Sequence, residues 1–183
     1  MITVTVTPVK DLLIIEPQLF GDNRGWLVET YNVEEFARHG ITETFVQDNH
    51  SSSAQGVLRG LHFQRPPFAQ TKLVRCSKGR LWDVAVDMRK NSPTFKQWFG
   101  LELSAENKKM LFIPAGFAHG FYSLEDCELI YKCSNVYHPE VDSGIRWNDP
   151  EIAIQWPLLP GSTPTLSDKD TQLLTVATAD IPF

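Results

Sequence analysis

The stretch Leu58-Arg59-Gly60-Leu61-His62-Phe63-Gln64 sets one histidine inside a short apolar run, and that run reads as a strand. The same pattern recurs along the chain: short apolar segments separated by Gly, Pro, Asn, Asp and Ser. Such spacing signals an all-β sandwich or barrel. Strands are expected at Leu12–Glu16, Trp26–Tyr31, Thr44–Asn49, Val57–Phe63, Thr71–Cys76, Arg80–Asp87, Gln97–Leu103, Lys109–Ile113, Gly120–Ser123 and Glu128–Asn135. Ser77-Lys78-Gly79 reads as a tight hairpin turn. Helix is scarce: Val33–Arg38 before Gly40, and Asp168–Leu174 with Ser167 as N-cap.

What surrounds His62 narrows its chemistry. A metal site in a barrel needs several His or carboxylate ligands close together, yet position 64 is Gln64. The segment Pro114-Ala115-Gly116-Phe117-Ala118-His119-Gly120-Phe121 carries another lone histidine. Two histidines without a ligand set point to a base rather than a metal ligand, since imidazole titrates near pH 6.5. A histidine base also needs an orienting carboxylate. Asp168 and Asp170 in Ser167-Asp168-Lys169-Asp170 are candidates that spacing alone does not bring to His62.

At 183 residues the chain is expected to form one domain, spanning 1–183, with 42% hydrophobic and 21% charged residues. The net charge of −5 argues against a general nucleic-acid or membrane-surface binder. Cys76, Cys127 and Cys133 form an odd set without a CxxC pair and read as small buried residues of a reducing compartment. Met1–Pro8 alternates Thr with Val or Ile and has no signal-peptide character. No apolar run is long enough to span a bilayer, so a cytoplasmic protein is expected.

Alternation assigns side chains to faces. Phe45, Gln47 and Asn49 are expected on one face, Leu27, Glu29 and Tyr31 on another, and Leu129, Tyr131 and Cys133 on a third. Inward faces that mix amides, a carboxylate and phenols suit a ligand cavity better than a core. Arg59 and His62 have opposite parity, so both can reach one ligand only if the strand bulges, which Gly60 permits. Among the basic residues Arg24, Arg59, Lys72, Arg75 and Lys169, Arg59 and Lys72 sit in apolar strands beside His62. Buried cations need partners, and a diphosphate would supply one. Walker A, GxGxxG and GxSxG motifs are absent.

Together the segments resemble the dTDP-4-dehydrorhamnose 3,5-epimerase family. The matching stretches run in family order through nearly the whole chain. They include Phe20-Gly21-Asp22-Asn23-Arg24-Gly25, Phe45-Val46-Gln47-Asp48-Asn49-His50-Ser51, the His62 strand, Lys72-Leu73-Val74-Arg75-Cys76, Asp83–Asp87, Ile113–Phe121, Tyr131-Lys132 and Trp147-Asn148-Asp149. The resemblance implies an all-β cupin-type jelly-roll barrel with short peripheral helices, a dTDP-4-keto-6-deoxy sugar as substrate, no cofactor and no metal. It implies His62 as base, Asp170 as its partner, Tyr131 as the acid on the opposite face and Lys72 beside the keto oxygen. It further implies sugar-nucleotide contacts from Arg24, Glu29, Gln47, Asp48, Asn49, Arg59, Lys72, His119, Tyr137, Asp142 and Lys169, and a homodimer in which the N-terminal segment adds to a partner's sheet. Asp142 departs from the Glu expected there, and the loops Arg65–Phe68 and Leu159–Pro164 are atypical. The alternatives are a single-centre epimerase, a non-catalytic nucleotide-sugar-binding barrel and a metal-dependent barrel enzyme.

Overall fold

The computed structural model describes residues 1–183. Its strands are β1 (Ile2–Val6), β2 (Leu13–Pro17), β3 (Leu19–Asp22), β4 (Gly25–Val28), β5 (Gln47–Ser53), β6 (Leu58–Gln64), β7 (Lys72–Lys78), β8 (Arg80–Asp87), β9 (Trp98–Ser104), β10 (Met110–Ile113), β11 (Phe117–Ser123), β12 (Cys127–Cys133) and β13 (Asp142–Gly144). The helices are α1 (Val33–Arg38) and α2 (Asp168–Thr171), with a 3-10 turn at Pro139–Val141. One sheet has six strands in the order β1-β2-β10-β7-β12-β5; a second has five, β13-β6-β11-β8-β9; β3 and β4 form a separate hairpin.

The two large sheets face each other across an apolar layer. Val74, Cys76, Leu111, Ile113 and Leu129 come from one, and Leu81, Ala85, Leu103, Phe117 and Phe121 from the other. Alternation then sends every second residue outward. Val84, Val86 and Ala118 leave the five-stranded sheet to pack under the C-terminal segment through Ile152, Val176 and Ile181. Ile15, Leu73, Met110 and Phe112 leave the six-stranded sheet to meet Phe36 of α1. Asn32 caps α1, accepting from the Glu34 and Glu35 amides at 3.0 and 3.2 Å. The expected all-β architecture with short peripheral helices is thus present.

Several boundaries differ from expectation for local reasons. The strand expected over Thr44–Asn49 begins at Gln47 and runs on to Ser53. Phe45 does not share the face of Gln47 and Asn49, because it stacks edge-on against Tyr31, ring centres 5.3 Å apart, on the α1 side. The strand expected over Trp26–Tyr31 is Gly25–Val28, so Leu27, Glu29 and Tyr31 do not share one strand face. β3, where no strand was expected, pairs with β4, Phe20 opposite Leu27. The second helix is only Asp168–Thr171, capped by Ser167. β1 pairs with β2 of its own chain and forms one edge of the six-stranded sheet.

Candidate active site

Polar side chains collect where the apolar layer between the sheets ends. Gln47, Asn49 and Ser51 share the inward parity of β5; Lys72 starts β7; Tyr131 follows Leu129 inward on β12. The opposing sheet contributes Arg59 and His62 from β6 and His119 from β11. These residues line two adjoining lobes of about 300 and about 280 Å3, and His62, Lys72, Tyr131 and Lys169 border both.

The parity conflict between Arg59 and His62 is resolved by a bulge. Across the β6–β11 pair, His62 lies opposite His119 and Arg59 opposite Phe121, so three steps along β6 match two along β11. Gly60 carries the distortion with φ +125, and a Cβ there would meet the Gly120 Cα at 2.6 Å. Only glycine accepts that backbone and that approach.

His62 is held from behind. Its Nε2 lies 2.5 Å from Asp170 Oδ1. A carboxylate only accepts, so Nε2 carries the proton and Nδ1 keeps its lone pair. The Ser167 hydroxyl donates to the other oxygen, Asp170 Oδ2, at 2.8 Å. Burial pushes the Asp170 carboxyl up, but the bonds from His62, Ser167 and the Gly60 backbone outweigh it and hold the group below its ordinary value. Asp170 is 3% exposed.

The opposite wall supplies a phenol and an ammonium. Burial raises the pKa of Tyr131, so the protonated phenol is favoured. Lys72 neighbours it, with Cys133 of β12 in register. Burial lowers the Lys72 ammonium, only partly offset by Cys133, Asp142 and Asp83. Arg59 donates from Nε to Ser53 Oγ at 2.9 Å and from Nη2 to the Ser52 carbonyl at 3.0 Å, and meets no carboxylate. Lys169 is paired with Asp142, which also accepts from the Tyr137 hydroxyl at 2.8 Å. That bond and burial raise the Tyr137 phenol.

Most of the expected residues therefore meet: His62, Lys72, Tyr131 and Asp170 converge with Gln47, Asn49, Arg59, His119, Tyr137, Asp142 and Lys169. Three do not. Asp48 has the outward parity of β5 and binds Lys132 Nζ at 3.0 Å. Arg24 sits on the exposed β3–β4 hairpin, paired with Asp22. Glu29 follows that hairpin and is exposed. Arg75 likewise turns to the outer face of its sheet, beside Leu73 and Ile130.

Three residues escaped the sequence reading. Asp83, wholly buried, receives His119 Nε2 at 2.8 Å, while its Oδ2 has no partner. An aspartate inside Leu81-Trp82-Asp83-Val84 was the available signal. Ser51 continues the Gln47–Asn49 parity. Gln64, where a second metal-binding histidine was sought, is a fastener. It accepts the His138 amide at 2.6 Å and donates to the Phe68 and Val136 carbonyls at 2.8 and 3.1 Å, fixing the loop that carries Tyr137. No three His, Cys, Asp or Glu side chains are placed to hold a metal ion, and no helix is long and apolar enough to cross a membrane.

The family described as dTDP-4-dehydrorhamnose 3,5-epimerase matches residues 6–178. The chain is 54% identical over 172 residues to the dTDP-4-dehydrorhamnose 3,5-epimerase of Salmonella typhimurium, covering 93% of both chains. It superimposes on the Legionella pneumophila dTDP-6-deoxy-D-glucose-3,5-epimerase, solved in complex with dTDP-4-keto-L-rhamnose, with TM-score 0.94, 46% identity and coverage of 98% and 95%. The Bacillus anthracis dTDP-4-dehydrorhamnose 3,5-epimerase, solved with TDP and PPi bound, gives TM-score 0.92 at 48% identity, covering 96% of this chain and all of that one.

Proposed function

The chain belongs to the dTDP-4-dehydrorhamnose 3,5-epimerase family, and we propose that His62, Asp170, Tyr131 and Lys72 carry its chemistry. The reaction inverts C3 and C5 of dTDP-4-dehydro-6-deoxy-D-glucose to give dTDP-4-dehydro-L-rhamnose, a step of dTDP-L-rhamnose synthesis. The 4-keto group acidifies the hydrogens on both neighbouring carbons. Removing one leaves an enolate, and a proton returned from the other side inverts the centre.

One observation carries the assignment: the base and the acid stand on opposite sheets. His62 belongs to β6 of the five-stranded sheet and Tyr131 to β12 of the six-stranded sheet, and both border both lobes. His62 Nδ1 takes the proton, and Asp170 steadies the imidazolium through Nε2. Tyr131, kept protonated by burial, donates from the opposite face. Lys72 on the Tyr131 wall offers an ammonium to the enolate oxygen, and losing a donor of that kind costs roughly 3–4 kcal/mol of transition-state stabilisation. Arg59, with no carboxylate beside it, suits the diphosphate. Gln47, Asn49, His119, Tyr137, Asp142 and Lys169 would contact the rest of the sugar nucleotide. Hydrogen exchange on the substrate in D2O tests these roles. Exchange must vanish in His62→Ala; exchange that persists there removes His62 as the base.

We also propose that the 1–183 unit works as a single-domain homodimer in the cytoplasm. The hairpin exposes Leu19, Phe20, Trp26 and Leu27, with Trp26 at 59% and Leu27 at 66%. Exposed apolar side chains clustered on one hairpin suit a protein contact. A hairpin laid on a second copy would bring Arg24 and Glu29 to that copy's nucleotide, which accounts for their distance from the cavity of their own chain. The open edge of β1 offers a second contact.

A further inference from the structure

We propose that Ser167 is a positioning residue that assigns the two oxygens of Asp170, leaving Oδ1 free to orient His62. This inference rests on the assignment of His62 as base.

The hydroxyl of Ser167 has two tasks at once. As N-cap of α2 it accepts the Asp170 backbone N–H at 3.1 Å. With that lone pair occupied, its own proton points to Asp170 Oδ2, 2.8 Å away. A carboxylate that is free to rotate could present either oxygen to an imidazole. Here one oxygen is tied to a group on its own backbone turn, and the other meets His62 Nε2 at 2.5 Å. The Gly60 backbone also bonds this carboxylate, and that bond stays in place in a Ser167 variant, so such a variant removes one partner only. Ser167 also borders the lobe that contains His62 and Arg59, so a bound substrate would cover this hydrogen bond and strengthen it.

The hydroxyl also shares the carboxylate's charge. Without it Asp170 offers more negative charge to His62, which favours the imidazolium. The other charged or titratable groups facing His62 are Lys169 from α2, Lys72 from β7, Tyr131 from β12, Asp142 from β13, Arg59 on β6 itself, and His119 from β11 with Asp83 of β8 behind it. None of them changes in Ser167→Ala or Ser167→Thr, whereas Ser167→Asp adds a second carboxylate beside Asp170.

The test combines Ser167→Ala, Ser167→Asp and Ser167→Thr with two readouts: kcat with KM, and the pH titration of the His62 ring followed by NMR, its signal identified by its loss in His62→Ala. Aspartate caps a helix as well as serine does but has no proton to donate. Positioning predicts that Ala and Asp both lower kcat about ten-fold or more with little change in KM. It predicts that Ala moves the His62 titration upward and that Thr restores both readouts; Asp is read by kcat alone, because its added carboxylate favours the imidazolium in any case. A merely structural cap predicts that Asp rescues kcat and that the titration of the Ala variant stays in place. Rescue of kcat by Asp, or an Ala titration that stays put or moves down, overturns the inference while leaving His62 as base. Exchange surviving in His62→Ala overturns both.

Discussion

His62 Nε2 and Asp170 Oδ1 meet at 2.5 Å although 108 residues separate them in the chain. The contact joins a strand of the five-stranded sheet to a single helical turn in the C-terminal segment. It fixes the tautomer of the neutral imidazole, with the proton on Nε2 and the lone pair on Nδ1.

His62→Ala therefore abolishes both hydrogen exchange and epimerisation, a loss of at least about 10²-fold, while dTDP affinity by calorimetry stays near that of the parent. Parallel loss of binding and turnover would remove the base assignment. Asp170→Asn keeps the shape and removes the charge, so kcat falls with KM little changed.

The same carboxylate predicts a pH dependence of stability. Its folded pKa lies below the ordinary value of about 3.9. Its contribution is present above about pH 4 and disappears as pH falls through the folded value. The unfolding free-energy difference between the parent and Asp170→Asn, from urea melts, shrinks as pH drops below about 4. A difference that is constant with pH contradicts this.

Tyr131→Phe leaves the base, its partner and Lys72 in place. Deuterium exchange at the sugar survives in part while inversion slows, because the proton has to return from the face on which it left. Undiminished inversion by NMR would take Tyr131 out of its role.

Lys72 is held in place against its own solvation. Its folded pKa is lowered, so the unfolded chain binds its proton more readily and stability rises with pH between the folded value and about 10.4. Lys72→Met lowers kcat/KM by about 10²–10³-fold yet unfolds at a temperature no lower than the parent. Marked thermal destabilisation would mean that Lys72 is chiefly structural.

Mixing inactive variants tests the shared site. Arg24→Ala and His62→Ala each impair activity as homodimers. Unfolded together and refolded, they form mixed dimers that carry one complete site and recover activity. No recovery, or a monomer by light scattering, refutes the hairpin exchange.

Much of this was legible because alternation is a strict code. Gln47 and Asn49, Leu129 and Tyr131 fell on the faces that their parity assigns, and Gly60 announced the bulge that lets Arg59 and His62 share a cavity. The code stops where strands stop. Phe45 lay two residues before β5 and followed the aromatic cluster with Tyr31 instead. Spacing could not join His62 to Asp170, since the loop after β13 decides where α2 lands; only the resemblance pointed to that pair. Nor could it show Ser167 serving Asp170 as well as its helix, or Gln64 fastening a loop, because both depend on side-chain partners distant in sequence or hidden within a turn.

The most direct test is to incubate the protein with dTDP-4-dehydro-6-deoxy-D-glucose in D2O and read the recovered sugar by NMR. The account predicts deuterium at both C3 and C5 with inversion at both centres. Deuterium at one centre only, or none while the nucleotide sugar is bound, would contradict it.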